Sequence, residues 1–302
     1  WRHAPLNNRI SRRVALKTMA AAAGATSLPL PAFAQKAMEG GAIRLGIIAD
    51  LHGGLAVDAS SRLDAFLKDM REESLEGLVQ MGDFAFPNDK HQHYADRFNA
   101  AHQNTLHVIG NHEFDHGLTR EDCYSAWGMS SSYYSRDIGE LRILVLDGND
   151  EGSPIHKGGY PSYIGEQQQR WLTRQLEKSE KPMLVLSHQP LSGRSAVDNA
   201  SEIQEILSKY SDKIILCLNG HTHIDSLVQI GGVSYLHFNS ASYFWVGGKT
   251  RMAYYADPLY SIMTIDRETA TVSVLPKATK WRDKSPEEIG YFEQQGRPPK
   301  HA

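Results

Sequence analysis

The sequence predicts an α/β fold with a composite site at one edge of its sheets. Apolar runs of strand length alternate with segments whose apolar residues recur at helical spacing, which is typical of βαβ units. Five of the apolar runs end in residue types that bind metal ions. Ligands of open α/β sheets bind outside the carboxyl ends of the strands, so we expect these five ends to meet. The 302 residues, of which 41% are hydrophobic, are ample for one large domain or two.

The five strand ends share histidine, carboxylate and amide side chains. In chain order they are Asp50-Leu51-His52, Gly82-Asp83, Gly110-Asn111-His112-Glu113, His188 and Gly220-His221-Thr222-His223. Each residue alone has an ordinary interpretation, since Asp caps helices and Asn occupies turns. Gly220 is expected to let the backbone turn sharply or approach a bound group closely. Five such coincidences along one chain are improbable, which favours a single site assembled from distant segments.

The segments between and beyond these ends predict the remaining elements. Leu63, Phe66, Leu67 and Met70 repeat at helical spacing and indicate a helix that begins near Ser61. The other predicted elements are a helix around Tyr94 and Phe98, strands over 132–135 and 142–147, a Gly- and Pro-rich surface loop over 148–165, helices around Trp171 and Ile203, and strands over 233–238, 262–265 and 272–275. Residues 266–269 form a hairpin turn between the last two strands.

Residues 1–34 have the pattern of an export signal. Ser11-Arg12-Arg13-Val14-Ala15-Leu16-Lys17 resembles the twin-arginine motif, and an alanine-rich stretch and the small-x-small triplet Ala32-Phe33-Ala34 follow. The alternative is a basic and then apolar helix that opens the domain, which Pro29 and Pro31 would interrupt. We therefore expect the twin-arginine translocation machinery as a partner, a periplasmic or secreted location, and a mature chain that begins near Gln35.

Charge and cysteine content limit the possible partners. The formal net charge is −3, and there is no basic stripe of the kind that binds nucleic-acid backbones, so no nucleic acid is expected. No integral membrane span is expected after signal removal. A disulfide between the two cysteines, Cys123 and Cys217, remains open at this point. His91, His93 and His116 are expected at the surface.

The five ordered blocks resemble those of the calcineurin-like metallophosphoesterase superfamily and span residues 50–223. The resemblance implies a four-layer sandwich of two mixed β-sheets flanked by helices, and we expect this catalytic domain over 35–275. The chain is polar and Pro-rich beyond Pro276, so we expect a polar tail over 276–302. The resemblance also implies two divalent metal ions, of Mn, Fe or Zn. The ligands of the first ion match Asp50, His52 and His223, those of the second match Asn111, His188 and His221, and the bridging carboxylate matches Asp83. His112 matches the residue that contacts the phosphate and acts as general acid or hydrogen-bond donor.

One position departs from the pattern of the superfamily's phosphoprotein phosphatases. In those enzymes a carboxylate three residues after the bridging Asp pairs with the phosphate-contacting His, and here that position is Phe86. Either another acid, such as Asp89 or Glu113, takes this role, or His112 is less polarised. The second block also carries Phe84 and Phe86 and no tyrosine, so it does not resemble the block of the purple acid phosphatases.

The layout is most similar to the bacterial cyclic-nucleotide phosphodiesterase-like branch, through residues 133–135, 166–172 and 187–190. The implied function is hydrolysis of phosphomono- or phosphodiester bonds in a small or surface-exposed phosphate ester, by attack of a metal-bound hydroxide. The alternative is a non-catalytic protein that holds metal or a phosphorylated ligand in a degenerate site. The complete set of ligand residues argues against that alternative.

Overall fold

The computed structural model describes residues 26–38, 40–242, 254–285 and 288. The twin-arginine motif therefore lies outside the described residues, as does most of the predicted tail. Among the described residues there are twelve strands: β1 (Thr26–Pro29), β2 (Ile43–Ile48), β3 (Gly77–Gln80), β4 (Thr105–His107), β5 (Tyr134–Ile138), β6 (Leu141–Leu146), β7 (Met183–Ser187), β8 (Ile214–Asn219), β9 (Ser226–Ile230), β10 (Val233–His237), β11 (Ser261–Asp266) and β12 (Thr271–Pro276). The helices are α1 (Ala32–Ala37), α2 (Ala59–Arg71), α3 (Gln92–Ala101), α4 (Arg120–Trp127), α5 (Glu166–Lys178) and α6 (Ala200–Ser208), with a short 3-10 turn at His112–Gly117.

The strands form two mixed six-stranded sheets. The first has the order β1-β12-β11-β2-β3-β4, and the second has the order β5-β6-β7-β8-β10-β9. Strands β2, β3 and β4 are mutually parallel in the first sheet, as are β6, β7 and β8 in the second. Strand β10 is parallel to β8 as well. The carboxyl ends of these seven strands are therefore the places where loops can build a shared site.

The core consists of three apolar clusters that define four layers. The inner faces of both sheets form the central cluster, which includes Leu45, Val79, Leu184 and Leu216. Helices α2, α3 and α4 cover the outer face of the first sheet, and helices α5 and α6 cover that of the second. The predicted four-layer sandwich is confirmed, because strands buried on both faces need a helix layer on each side.

Three details of the predicted elements differ in the structure. Helix α2 begins at Ala59 rather than near Ser61, because Asp58 accepts the Arg62 backbone N–H at its carbonyl and pairs with the Arg62 guanidinium at 3.0 Å. Strand β9 and helix α4 have no counterpart in the sequence prediction. The hairpin turn at residues 266–269 is confirmed, since the Asp266 side chain accepts the backbone N–H groups of Glu268 and Thr269.

The amino-terminal segment packs onto the domain before the predicted boundary at residue 35. Strand β1 pairs with β12, and Leu30, Ala34 and Met38 are buried in the central cluster. The predicted cleavage point at Ala34 therefore lies inside α1 in this folded form. No described helix is long and apolar enough to cross a membrane.

The two cysteines are free and buried in different layers. Cys123 lies on the buried face of α4 in the cluster outside the first sheet, and Cys217 lies on β8, between the second sheet and its helices. Burial raises the pKa of both thiols, so both remain protonated at neutral pH. The disulfide that the sequence leaves open is not formed.

The tight fit of β2 under α2 gives a test of the sheet–helix packing. A Cβ on Gly46 would lie 2.5 Å from the Met70 Sδ and 2.9 Å from the Leu78 Cδ2. We expect Gly46→Val to lower the free energy of unfolding by about 1–3 kcal/mol, because the surrounding side chains are buried and have little room to move. Urea unfolding curves measure this change. Gly41→Ala, at a position with nothing within 4 Å of the added Cβ, is the control, and equal stability of the two variants would contradict the packing.

Candidate metal centre

The first predicted set of ligands converges in the structure. The Asp50 Oδ1 lies 3.1 Å from the His223 Nε2, which in turn lies 3.2 Å from the His52 Nε2. All three residues are buried, and one ligand atom from each lies within 4.8 Å of the others. Burial lowers the pKa of His52 to about 3, so its imidazole is neutral at neutral pH. A neutral imidazole offers the lone pair that a metal ion requires.

A second cluster joins the predicted bridging carboxylate to two of the ligands predicted for the second ion. It lies at the ends of β3, β7 and β8. Asp83, His188 and His221 place ligand atoms within 4.8 Å of one another. The His188 Nδ1 donates to the Met81 carbonyl at 2.8 Å, which turns its Nε2 toward the Asp83 Oδ2 at 3.2 Å. Fixing one ring nitrogen with a backbone carbonyl is how proteins orient a metal-binding imidazole.

Asn111 is the remaining predicted ligand, and its amide oxygen has an unmet requirement. The Asn111 side chain is buried, and its Oδ1 accepts no hydrogen bond from the described residues. Leaving a buried acceptor unsatisfied costs about 1–3 kcal/mol, which a cation at this position would remove. The two clusters and this oxygen fit a pair of divalent ions of the kind that imidazole, carboxylate and amide oxygen bind.

The charge states of the two carboxylates among the predicted ligands, Asp50 and Asp83, depend on the imidazoles around them. Burial alone would raise the pKa of Asp83, but the adjacent His188 holds it well below the usual range. In the same way His223 lowers the pKa of Asp50 against the effect of burial. Both carboxylates are therefore charged and available as metal ligands.

Five of the predicted ligands have backbone conformations that non-glycine residues rarely adopt. Asp50, His52, Asp83, His221 and His223 have φ between 49° and 68°, and they are five of the eight described non-glycine residues with positive φ. Each such residue costs about 1 kcal/mol relative to the right-handed region. Backbone strain concentrated in one cluster is typical of functional sites, because the direction of the side chains is needed there even at a cost in backbone conformational energy.

Gly220 provides the close approach that the sequence predicts. A Cβ at this position would lie 2.8 Å from the Asp50 Oδ2 and 3.2 Å from the His188 Nδ1. The absence of a side chain lets the β8 loop come close enough for the His221 backbone N–H to donate to Asp50 at 3.0 Å. Gly220 therefore brings the two sheets' ligand loops into contact.

The acid that orients His112 is Asp115, which the sequence analysis missed. The His112 Nδ1 lies 2.8 Å from the Asp115 Oδ2, one turn further along the 3-10 segment. Of the two acids that the sequence suggested, Asp89 is exposed and Glu113 is buried elsewhere. Phe86 packs its ring against His91 and His116 and offers no carboxylate to His112. The i, i+3 spacing of His112 and Asp115 is the signal that could have identified the pair.

Glu113 is buried next to the turns that carry Asp83 and Asn111, and it binds their backbone. Its carboxyl group accepts the backbone N–H groups of Gly110 at 2.6 Å, Asp83 at 3.0 Å and Phe84 at 2.8 Å. Burial and the nearby Asp83 raise the pKa of Glu113 to about 8. These bonds join the turn after β3 to the turn after β4, so Glu113 fixes the spacing between Asp83 and Asn111.

A polar network, also missed from the sequence, joins the two sheets next to the site. The Asn149 Nδ2 donates to the Asp147 Oδ1 at 2.8 Å and to the Gly110 carbonyl at 3.3 Å, and its Oδ1 accepts from Gln189. Arg120 donates to the buried Asp147 at 2.6 Å. The network connects the loops of Asn111 and His188, which belong to different sheets.

Of the three histidines that the sequence analysis expects at the surface, one is buried. His93 and His116 are exposed as predicted. His91 is only 9% exposed, because its ring packs on Phe86 and Tyr94 and its Nδ1 bonds the Asn88 Oδ1 at 2.9 Å.

The family pattern of calcineurin-like phosphoesterases matches residues 43–225, and the chain belongs to this family. Among solved structures, a dimetal phosphatase from Danio rerio is similar at a TM-score of 0.54 and 15% identity, over 76% of this chain and 97% of that one. GAP50, the anchor in the inner membrane complex of Plasmodium, is similar at a TM-score of 0.56 and 12% identity, over 84% and 87% of the two chains. At these identities the likeness extends to the fold alone. No curated protein matches the chain.

The strained backbone of the ligands gives a prediction that does not depend on activity. Both His221→Ala and His221→Gly remove an imidazole, so we expect both to bind less metal. In the metal-free state the glycine variant should be more stable than the alanine variant by about 1 kcal/mol, because glycine adopts positive φ without strain.

Urea unfolding in the presence of a chelator measures the difference. The same pair of substitutions at His102, where φ is −153°, is the control, and there the alanine variant should be the more stable. Equal stability of His221→Ala and His221→Gly would contradict the strain at this position.

Proposed function

We propose that the protein is an exported phosphoester hydrolase with a dinuclear metal centre of Mn, Fe or Zn. The observation that supports it most is the joint placement of two ligand clusters and a carboxylate-held histidine at the ends of parallel strands. Asp50, His52 and His223 would hold one ion, and Asn111, His188 and His221 the other, with Asp83 between them. Such a pair of ions supplies activated water and neutralises the charge of the phosphate.

The contribution of the chain itself centres on His112. Asp115 holds its Nδ1, so the ring has a fixed orientation from which its Nε2 could donate to the leaving oxygen. The His112 backbone N–H donates to the Asp83 Oδ1 at 2.9 Å, which fixes the histidine relative to the predicted bridging carboxylate. The expected substrate is a small or surface-exposed phosphate ester.

The experiment that tests this function is turnover of aryl phosphate and bis-aryl phosphate with added Mn²⁺. Hydrolysis of one or both establishes the activity and distinguishes a monoesterase from a diesterase. We expect Asp83→Asn to reduce turnover by about a hundredfold or more and to lower the metal content, because it removes one of the two carboxylates of the predicted ligand set. Metal analysis and circular dichroism of the same sample separate loss of metal from loss of fold.

The matched control is Asp89→Asn, which makes the same chemical change at an exposed position in the loop that follows Asp83. It should leave turnover and metal content unchanged. Full metal occupancy with no turnover of any ester by the wild-type chain would favour a non-catalytic binding protein. Undiminished turnover in Asp83→Asn would contradict the assignment of the metal centre.

We propose further that the chain is exported by the twin-arginine route to the periplasm or the exterior. The motif at residues 11–17 supports this, since that route carries folded proteins and permits metal loading inside the cell, where metal supply is controlled. Ala34 is buried in α1 and β1 pairs with β12, so cleavage at Ala34 requires this segment to leave the sheet.

Replacing Arg12 and Arg13 together by Lys should block export and leave folded, active precursor inside the cell. Fractionation with activity assays measures the distribution, and amino-terminal sequencing of the exported chain locates the cut. Normal export of the double-Lys variant would exclude the twin-arginine route. Inactive, metal-free precursor would contradict loading before export.

A further inference from the structure

The loop between β6 and α5 places a tyrosine against the His112–Asp115 pair. The Tyr160 hydroxyl donates to the Asp115 Oδ1 and lies 3.2 Å from the His112 Nδ1. The two rings meet edge to face with centroids 5.1 Å apart. His112 and Asp115 follow β4 of the first sheet, whereas Tyr160 lies in the loop that follows β6 of the second sheet, so this contact joins the two halves of the molecule.

The loop is fixed at its base, which gives Tyr160 a defined position. The Tyr163 backbone N–H donates to the Gly148 carbonyl at 2.8 Å, and the Asp150 backbone N–H donates to the Tyr163 carbonyl at 3.1 Å. Arg120 pairs with Asp147 and Asp150 at the same end of the loop. Tyr160 itself is 43% exposed, so its place is not explained by burial of its ring.

The three groups form a consistent set of donors and acceptors. Asp115 uses its Oδ2 for the His112 Nδ1 and its Oδ1 for the Tyr160 O–H, so neither carboxylate oxygen can rotate away without breaking a bond. Burial and the adjacent Asp115 raise the pKa of Tyr160, which keeps the hydroxyl protonated as a donor. A carboxylate held at both oxygens orients a histidine more narrowly than one held at a single oxygen.

We propose that Tyr160 is a positioning residue that acts through Asp115 to orient His112 for proton donation to the leaving group. This role rests on the proposed phosphoester hydrolysis and adds to it a residue from the second sheet. Tyr160 acts on the proton-transfer step and not on binding of the phosphate. Its removal should therefore lower kcat most for esters whose leaving oxygen needs a proton.

The test compares Tyr160→Phe, Asp115→Asn and the double variant with the wild type, in saturating Mn²⁺, on phenyl and 4-nitrophenyl esters of the class that the wild type hydrolyses. We expect Tyr160→Phe to lower kcat about tenfold for the phenyl ester and about twofold or less for the nitrophenyl ester. KM and metal content should be unchanged. The double variant should be no slower than Asp115→Asn alone, because Tyr160 acts through that carboxylate.

The matched control is Tyr163→Phe in the same loop. The Tyr163 hydroxyl makes no hydrogen bond with the described residues, so this variant should behave as wild type. Unchanged kcat in Tyr160→Phe with an active wild type would overturn the inference alone. A rise in KM at constant kcat would identify Tyr160 as a substrate contact instead. Additive losses in the double variant would show that Tyr160 does not act through Asp115. An inactive wild type would overturn the proposed function, and this role with it.

Discussion

The structure depends on keeping two carboxylates charged in the interior. Asp50 and Asp83 are almost completely buried, and transfer of an isolated carboxylate into such an environment is strongly unfavourable. The imidazoles of His223 and His188 lie against them and hold the pKa of each below its usual range. A charged, buried and imidazole-lined space of this kind is stable with divalent cations, which supply the largest compensating charge.

The same constraint explains the backbone around the site. Ligand side chains from both sheets must point into one volume, and the strands alone cannot aim them there. Five ligands accept positive φ, and Gly220 omits a side chain, so that the loops can approach within hydrogen-bond distance. Hydrogen bonds from Glu113 and Asn149 then hold the loops that carry the ligands next to one another. The fold supplies stability through its apolar layers, and the loops can hold strained conformations because those layers fix their ends.

Much of this architecture could be predicted from the sequence because it follows from local patterns. Apolar runs followed by Asp50, Asp83, Asn111, His188 or His221 identify strand ends, and parallel strands bring such ends together. Asp115 and Tyr160 could not be predicted in the same way. Asp115 follows no apolar run, and Tyr160 lies in a Gly-rich loop whose path depends on contacts with the other sheet.

Strand β1 and the burial of His91 could not be predicted from the sequence for a related reason. Strand β1 is four residues long and contains Pro29, so its sequence does not favour a strand until β12 offers a partner. The burial of His91 likewise depends on contact with Phe86. Pairing and packing over long sequence distances decide these features, and a local pattern does not contain them.

The central claim is that two metal ions occupy the two ligand clusters. Anomalous diffraction from crystals grown with Mn²⁺ tests it most directly, because the signal locates each ion independently of activity. We expect two peaks, one among Asp50, His52 and His223 and one among Asn111, His188 and His221, with Asp83 in contact with both. A single peak, or peaks away from these residues, would contradict it.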